Sequence, residues 1–133
     1  MASTQGDDAN WRVLGDAAWK VRENAHVHGP TRVGAAVLTA SGDVYVGCNV
    51  EHRFRSHDVH AEVNALTSMV ARGGDRAVMV LIAAERDHFT PCGSCLDWIF
   101  ELGGDHCLVA FQPKPDGTVS ALRADELMPY YPN

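Results

Sequence analysis

The sequence predicts an α/β protein with three α/β/α layers, built on a mixed sheet of about five strands. Residues 77–84 form a continuous apolar run, as expected for a central strand that is covered on both faces. A helical segment ending at Gly103 separates this run from a second strand at residues 107–111, which predicts a parallel pair with a right-handed crossover. Residues 113–117 are too few for another helix. The last strand, at residues 118–122, should therefore run antiparallel.

The first third of the chain predicts a helix followed by a hairpin. Apolar residues recur with a helical period over residues 10–24, and Asn10 is available as the N-cap. Residues 26–32 contain glycine and proline and indicate a loop. Residues 33–39 and 43–49 resemble strands, and the Ser-Gly turn between them predicts that they pair as a hairpin.

A second helix is expected to begin at His60, after a polar loop, with Ser56 or Asp58 as its cap. The paired glycines at 73–74 should end it. Its buried face is predicted from the helical spacing of three apolar residues, which are Val63, Leu66 and Val70. Residues 125–128 indicate one further short helical turn.

A third helix is expected to begin near Pro91. Thr90 can cap it, and proline suits the first helical position. Cys92 and Cys95 would then lie one turn apart on the same face, at the positive end of the helix. That position lowers the pKa of a thiol and favours the thiolate form that metals bind.

Length and composition predict one domain over residues 1–133, with residues 1–9 flexible. The chain is 46% hydrophobic, which supports a compact core, and its formal net charge is -6. Lysine and arginine form no run, so an extended polynucleotide is disfavoured as a partner and a small neutral ligand is favoured.

No segment has the features of a signal peptide or of a membrane span, which needs about 20 apolar residues, so we expect a cytoplasmic protein without a membrane partner. In that compartment the four cysteines are better interpreted as metal ligands or buried thiols than as disulfides. Cys92 and Cys95 are the candidate ligands. Cys48 and Cys107 lie in apolar stretches and should be buried.

Two short motifs, His60-Ala61-Glu62 and Pro91-Cys92-Gly93-Ser94-Cys95, together supply an imidazole, two thiolates and a carboxylate. These groups predict one zinc ion per subunit, held by His60, Cys92 and Cys95. Three protein ligands leave the fourth tetrahedral position for a water molecule, which loses a proton near pH ~7, beside Glu62 as a proton carrier. A redox dithiol and a structural zinc site completed by His57, His88 or Cys48 are the alternatives.

With Cys48-Asn49-Val50-Glu51 preceding these motifs, the chain resembles the cytidine deaminase family, especially its short-chain members. The resemblance implies that His60, Cys92 and Cys95 hold zinc while Glu62 transfers protons. It also implies that Asn49 and Glu51 bind sugar hydroxyls, and that the backbone of Ala61 helps hold the base. Family members assemble as dimers or tetramers, so a homo-oligomer is expected.

The chain departs from the usual family pattern at the substrate end. Thr31 and Arg32 replace a Phe-Pro pair, and Arg55 replaces a tyrosine. Near the metal, His60 replaces a third cysteine and Val63 an arginine, so one imidazole with two thiolates balances the charge of zinc. Further residues are candidates for the substrate pocket, and the complete set is Thr31, Arg55, His57, His88 and Tyr131.

Three functions remain open from the sequence. The first is hydrolytic deamination of cytidine or deoxycytidine to the uridine product and ammonia, which the retained Asn49 and Glu51 favour. The second is deamination of another heterocycle, such as a free base, an aminopurine, an s-triazine or a nucleoside antibiotic, which Thr31, Arg32 and Arg55 favour. The third is a structural-zinc protein without catalytic activity.

Overall fold

A computed structural model of the chain describes residues 8–87 and 89–131 and confirms the predicted three-layer α/β class. One five-stranded sheet has the order β2-β1-β3-β4-β5. The strands are β1 (Gly34–Thr39), β2 (Val44–Cys48), β3 (Ala77–Ala83), β4 (Leu108–Gln112) and β5 (Ser120–Arg123). The helices are α1 (Asp8–Arg22), α2 (Ala61–Ala71), α3 (Gly93–Gly103) and α4 (Ala124–Leu127).

The strand directions agree with the sequence prediction. β1 pairs antiparallel with both β2 and β3, whereas β3 and β4 are parallel and are connected by α3. β5 returns antiparallel to β4. The short connection before β5 therefore forces the direction that the sequence indicated.

Helices cover both faces of the sheet, and the side chains of β3 alternate between the two cores. Met79 and Leu81 face α1, where they pack with Trp11 and Leu14. Val80 lies in the opposite core, with residues of α2 and α3. This double burial explains why the sequence of β3 is apolar throughout instead of alternating.

The N-terminal boundary of α1 differs from the prediction. The helix begins at Asp8, two residues before the expected cap Asn10, so Asp8 and Ala9 are helical although flexibility was expected there. The acidic side chain of Asp8 lies in the first turn, where the positive end of the helix favours negative charge. The remainder of the segment expected to be flexible, residues 1–7, lies outside the described residues.

The predicted caps of α2 and α3 are wrong. The N-cap of α2 is His60, whose side chain makes no cap hydrogen bond. Asp58, one of the predicted caps, accepts hydrogen bonds from the backbone of His52 and from Arg55 instead. In α3 the N-cap is Cys92, whose Sγ accepts from the backbone N–H of Cys95. Thr90 and Pro91 therefore precede the helix.

The buried face of α2 was predicted correctly at Leu66 and incorrectly at Val70, while Val63 is partly buried. Val70 is 54% exposed, whereas Leu66 and Met69 are buried. The cause is a close approach between α2 and β2. A Cβ atom on Gly47 would lie 2.3 Å from the backbone nitrogen of Ala65, so glycine allows the helix to rest directly on the strand.

Among the helices of residues 8–87 and 89–131, none combines the length and the apolar character that crossing a membrane requires. Cys48 and Cys107 are buried free thiols, as the sequence predicted.

Candidate active site

The first turns of α2 and α3 meet beside the end of β3. α2 begins directly after His60, and α3 begins directly after Cys92. Ile82 and Ala84, at the end of β3, line the same cleft as His60 and Cys92. The fold therefore brings together two motifs that lie about thirty residues apart in the chain.

Three side chains converge beside this cleft, and two of them, those of His60 and Cys92, line it. The Nδ1 atom of His60 lies 3.2 Å from Sγ of Cys95 and 3.5 Å from Sγ of Cys92. The two sulfur atoms are 3.5 Å apart. Cys95 is buried, whereas His60 and Cys92 are exposed to the cleft side.

These distances fit a tetrahedral zinc site. Ligand atoms that lie about 2.0–2.3 Å from one zinc ion are separated by about 3.6–3.8 Å from each other. The observed triangle is slightly smaller, and a nitrogen with two sulfur donors is a ligand set that zinc prefers. His60, Cys92 and Cys95 can therefore hold zinc with little rearrangement.

The protonation of Cys95 and Glu62 depends on their burial and on whether a cation is bound. Burial raises the pKa of the Cys95 thiol, and the adjacent carboxylate of Glu62 raises it further. A bound metal cation reverses this preference, because a coordinating thiol is deprotonated. Glu62 is 6% exposed, and burial raises the pKa of its carboxyl group above the ordinary value.

The number of protein ligands separates a catalytic metal site from a structural one. Among residues 8–87 and 89–131, the group that could hold an ion here has three members, His60, Cys92 and Cys95. Cys48 and His57, which the structural-zinc alternative offered as a fourth ligand, are outside the group. His88, the other candidate, lies outside the described residues. As far as the described residues go, three ligands leave the fourth tetrahedral position open.

A cleft of about 240 Å³ extends outward from the metal ligands. Glu62 and Ala61 line it, together with apolar side chains, which are Val33, Val59, Ile82, Ala84 and Phe89. Most of the other lining residues are polar or charged. The lining residues that the sequence had singled out as substrate contacts are Thr31, Asn49, Glu51, Arg55 and Ala61.

Asn49 and Glu51 are buried, and their side chains form hydrogen bonds with the backbone of residues 28–33. The Oδ1 atom of Asn49 accepts from the backbone N–H of Val33 at 2.9 Å, and its Nδ2 donates to the carbonyl of Thr31 at 3.0 Å. Oε1 of Glu51 accepts from the backbone of His28 at 2.7 Å and of Gly29 at 2.9 Å. The N–H groups of Gly29 and His28 hold the pKa of Glu51 below its usual value.

Two residues proposed for the pocket lie elsewhere in the single chain. The ring of Tyr131 stacks on Phe100 with centroids 4.1 Å apart, beside α2 and α3 and away from the cleft. The ring of His57 packs against His52, at 4.9 Å between centroids, in the exposed loop of residues 52–58. The position of His88 cannot be compared, since it lies outside the described residues.

Comparison with known proteins identifies the family. Residues 12–111 match the family described as the cytidine and deoxycytidylate deaminase zinc-binding region. The chain belongs to this family. The resemblance stated from the two motifs is thereby confirmed, and so are the zinc cofactor and the assignment to zinc-dependent hydrolases that act on C–N bonds.

Relatives and solved structures agree with this assignment. The chain is 32% identical over 117 residues to a probable cytidine deaminase of Dictyostelium discoideum, covering 86% of this chain and 78% of that protein. The crystal structure of cytidine deaminase from Mycobacterium leprae superposes with a TM-score of 0.80 at 29% identity, covering 92% and 99% of the two chains. The crystal structure of cytidine deaminase from Burkholderia pseudomallei superposes with a TM-score of 0.81 at 31% identity, covering 89% of this chain and 95% of that chain.

Within this member of the deaminase family, the cleft residues that were not identified from the sequence include three from one connection. Arg86, Phe89 and Thr90 line the cleft from the connection between β3 and α3. The available signal was their position, because residues that follow a strand at its carboxyl end face the ligand site in open α/β sheets. Phe89 also packs on Phe111, with centroids 5.2 Å apart. The cleft therefore has an aromatic side chain, that of Phe89, although Thr31 stands where the family usually has a phenylalanine.

Proposed function

We propose that the chain catalyses the hydrolytic deamination of cytidine or deoxycytidine, which converts substrate and water into the uridine product and ammonia. The observation that supports this most strongly is the buried carboxyl group of Glu62 beside the triangle of His60, Cys92 and Cys95. The relatives named cytidine deaminase, which match most of the chain, support the substrate.

Zinc held by His60, Cys92 and Cys95 would supply Lewis-acid activation of water. Glu62 would then act as the proton carrier. Its carboxylate accepts one proton from the attacking water and delivers it to the ring nitrogen. It then accepts the second proton of that water, from the new hydroxyl group on the ring carbon, and passes it to the departing amine, which leaves as ammonia. Burial raises the pKa of Glu62, so the protonated form is accessible when the ring nitrogen needs a proton.

We propose that Ala61, Asn49 and Glu51 position the nucleoside. Ala61 is the first residue of α2, where a backbone N–H has no acceptor within the helix and is available to the base. The side-chain amide of Asn49 uses one donor and one acceptor in the loop and keeps one of each. Both polar side chains line the cleft and suit sugar hydroxyls.

An ammonia-release assay on the zinc-loaded protein tests the proposal. The panel contains cytidine, deoxycytidine, cytosine, an aminopurine and an s-triazine. We expect kcat/KM for one of the nucleosides to exceed that for every free base, because the bases make none of the contacts at Asn49 and Glu51. A higher kcat/KM for cytosine or the triazine would instead establish the alternative substrate class. Absence of turnover with every compound would refute the proposed chemistry.

We also propose a homo-oligomer, a dimer or a tetramer. Its support is an exposed apolar surface on α2 and α3, where Val70 is 54% and Trp98 41% exposed. Sedimentation equilibrium at micromolar concentration should show the oligomer, and Val70→Glu should dissociate it. Val13 on α1 is equally exposed, at 55%, so Val13→Glu is the matched control and should leave the assembly intact. Monomers alone in the unmodified protein would contradict the proposal.

The expected partners are otherwise the small substrate and water. A net charge of -6 supports the absence of a polynucleotide partner. We propose a cytoplasmic location, supported by four cysteines that are all free thiols, since zinc requires Cys92 and Cys95 in the reduced state. Fractionation of producing cells would test this location.

A further inference from the structure

Arg55 joins the carboxylates of two other residues that line the cleft. Its Nη2 atom lies 3.1 Å from Oε2 of Glu51, and its Nε donates to Oδ2 of Asp58 at 2.8 Å. All three residues line the cleft. The family usually has a tyrosine at the position of Arg55, so this ion-pair cluster distinguishes the chain from the common pattern.

The surrounding loop fixes the guanidinium in place. Val50 and Val59 pair antiparallel at the base of the loop, with two backbone hydrogen bonds of 2.9 Å. Asp58 also accepts from the backbone N–H of His52 at 2.7 Å. Arg55 lies in a single 3₁₀ turn, Arg55–His57, between these anchors. A side chain that is held at both carboxylates loses little freedom when a ligand binds.

The hydrogen-bonding capacity of the pair matches a hydroxyl group. Oε1 of Glu51 already accepts two backbone hydrogen bonds, and Oε2 accepts one from Arg55. Because a carboxylate oxygen accepts about two hydrogen bonds, Oε2 retains capacity for one. Arg55 has five N–H donors and uses two of them on Glu51 and Asp58, so donors remain. A hydroxyl both donates and accepts, and it can bridge the two side chains.

The charges of the cluster disfavour an anion at this position. Glu51 and Asp58 together outweigh the single positive charge of Arg55. Arg86 also lines the cleft, and with it the formal charges of the two carboxylates and the two arginines sum to zero. A phosphate placed on Arg55 would therefore meet two carboxylates within hydrogen-bond distance of the same guanidinium.

We propose that Arg55 is a specificity-determining residue, which together with Glu51 binds one secondary hydroxyl of the substrate sugar and selects a neutral hydroxyl-bearing substituent over a phosphate. This inference rests on the proposed function, since it concerns the sugar end of the same cleft. In this arrangement Arg55 donates a hydrogen bond to the hydroxyl oxygen, and Glu51 accepts one from the hydroxyl hydrogen. A carboxylate without Arg55 could only accept.

The test compares the unmodified protein with Arg55→Gln on three substrates: cytidine, 2′,3′-dideoxycytidine and cytidine 5′-monophosphate. Cytidine should be preferred by the unmodified protein. In Arg55→Gln the ratio of kcat/KM for cytidine to that for dideoxycytidine should fall about tenfold or more, as expected for loss of a charge-assisted hydrogen bond. The change should lie in KM, with kcat for cytidine kept within about twofold, because Arg55 belongs neither to the metal-ligand group nor to the proton-transfer step assigned to Glu62.

Arg53→Gln is the matched control, because Arg53 is an exposed arginine of the same loop that does not line the cleft. It should leave the ratio unchanged. His52→Ala removes the ring nitrogen that accepts from the backbone N–H of Phe54 at 2.9 Å, and His52 does not line the cleft. This variant therefore reports on loop disruption, which weakens all three substrates alike. An equal loss on all substrates in Arg55→Gln would show a merely structural role and overturn the proposal. A preference for the monophosphate that disappears in Arg55→Gln would identify an anion receptor and also overturn it.

Binding measurements separate this inference from the proposed function. Calorimetry on zinc-loaded Glu62→Gln, with and without Arg55→Gln, compares the affinities for cytidine and dideoxycytidine in the absence of turnover. A hydroxyl-dependent affinity that falls about tenfold on loss of Arg55 supports the inference even if the active protein proves to deaminate another compound. Equal affinities for the two nucleosides in both proteins would refute it, whatever the ammonia assay shows.

Discussion

Replacing Glu62 with glutamine should lower kcat for cytidine by about 10²- to 10⁴-fold, the range typical of a positioned acid-base group. Glutamine keeps the size and polarity of the side chain but carries no transferable proton at neutral pH. The zinc content should stay the same, because Glu62 contacts the Cys95 thiol without belonging to the ligand group. Steady-state ammonia release and metal analysis of the same sample measure both quantities.

Glu85→Gln is the corresponding control. Glu85 is an exposed carboxylate that pairs with Arg22 at 3.1 Å, and its replacement should leave kcat within about twofold, since surface ion pairs contribute little. Full activity in zinc-loaded Glu62→Gln would remove this residue from the mechanism. Loss of zinc in that variant would show that Glu62 acts as a ligand and not as a proton carrier.

The Cys92→Ser variant should lose zinc and activity together. Serine still caps a helix, so the start of α3 should form, while the thiolate that zinc prefers is gone. We expect zinc affinity to fall at least about a hundredfold, because loss of a direct ligand exceeds the 10- to 100-fold effect of losing an outer hydrogen-bond partner. Competition with a chromogenic chelator measures the affinity, and circular dichroism verifies the fold.

Cys107→Ala is the matched cysteine control. Its thiol is buried in the core beside α3 and is not in the ligand group, so this variant should bind zinc with unchanged affinity, at a small cost in stability. If Cys92→Ser held zinc as tightly as Cys107→Ala, Cys92 would not be a ligand. Equal losses in both variants would indicate a general effect of disturbing α3.

The sequence was sufficient to predict the grouping of His60, Cys92 and Cys95, because each of the two motifs that form it is local. Cys92 and Cys95 are three residues apart, and a helix start places their sulfur atoms together whichever residue is the cap. The central strand and its parallel partner were equally clear, because burial on both faces removes the alternation of polar residues. The cap itself was mispredicted, since Thr90 is a good cap by type but the thiol of Cys92 occupies that role.

The substrate end of the cleft was less predictable because its contacts depend on irregular loops, whose conformation has no periodic signal in the sequence. The sequence identified Arg55 as a departure from the family but gave no sign of its pairing with Glu51 and Asp58. The two partners are close to Arg55 in the chain, but their pairing depends on the conformation of an irregular loop, which the Val50–Val59 bridge closes. Tyr131 shows the same limit, since its contact with Phe100 depends on how the C-terminal segment folds back on α3.

X-ray absorption at the zinc edge of the metal-loaded protein examines the coordination sphere itself. For one ion per chain it should report two sulfur atoms at about 2.3 Å and two nitrogen or oxygen atoms at about 2.0–2.1 Å, one from His60 and one from solvent. A sphere with three or more sulfurs, or one completed by a second histidine, would contradict a catalytic centre open to water.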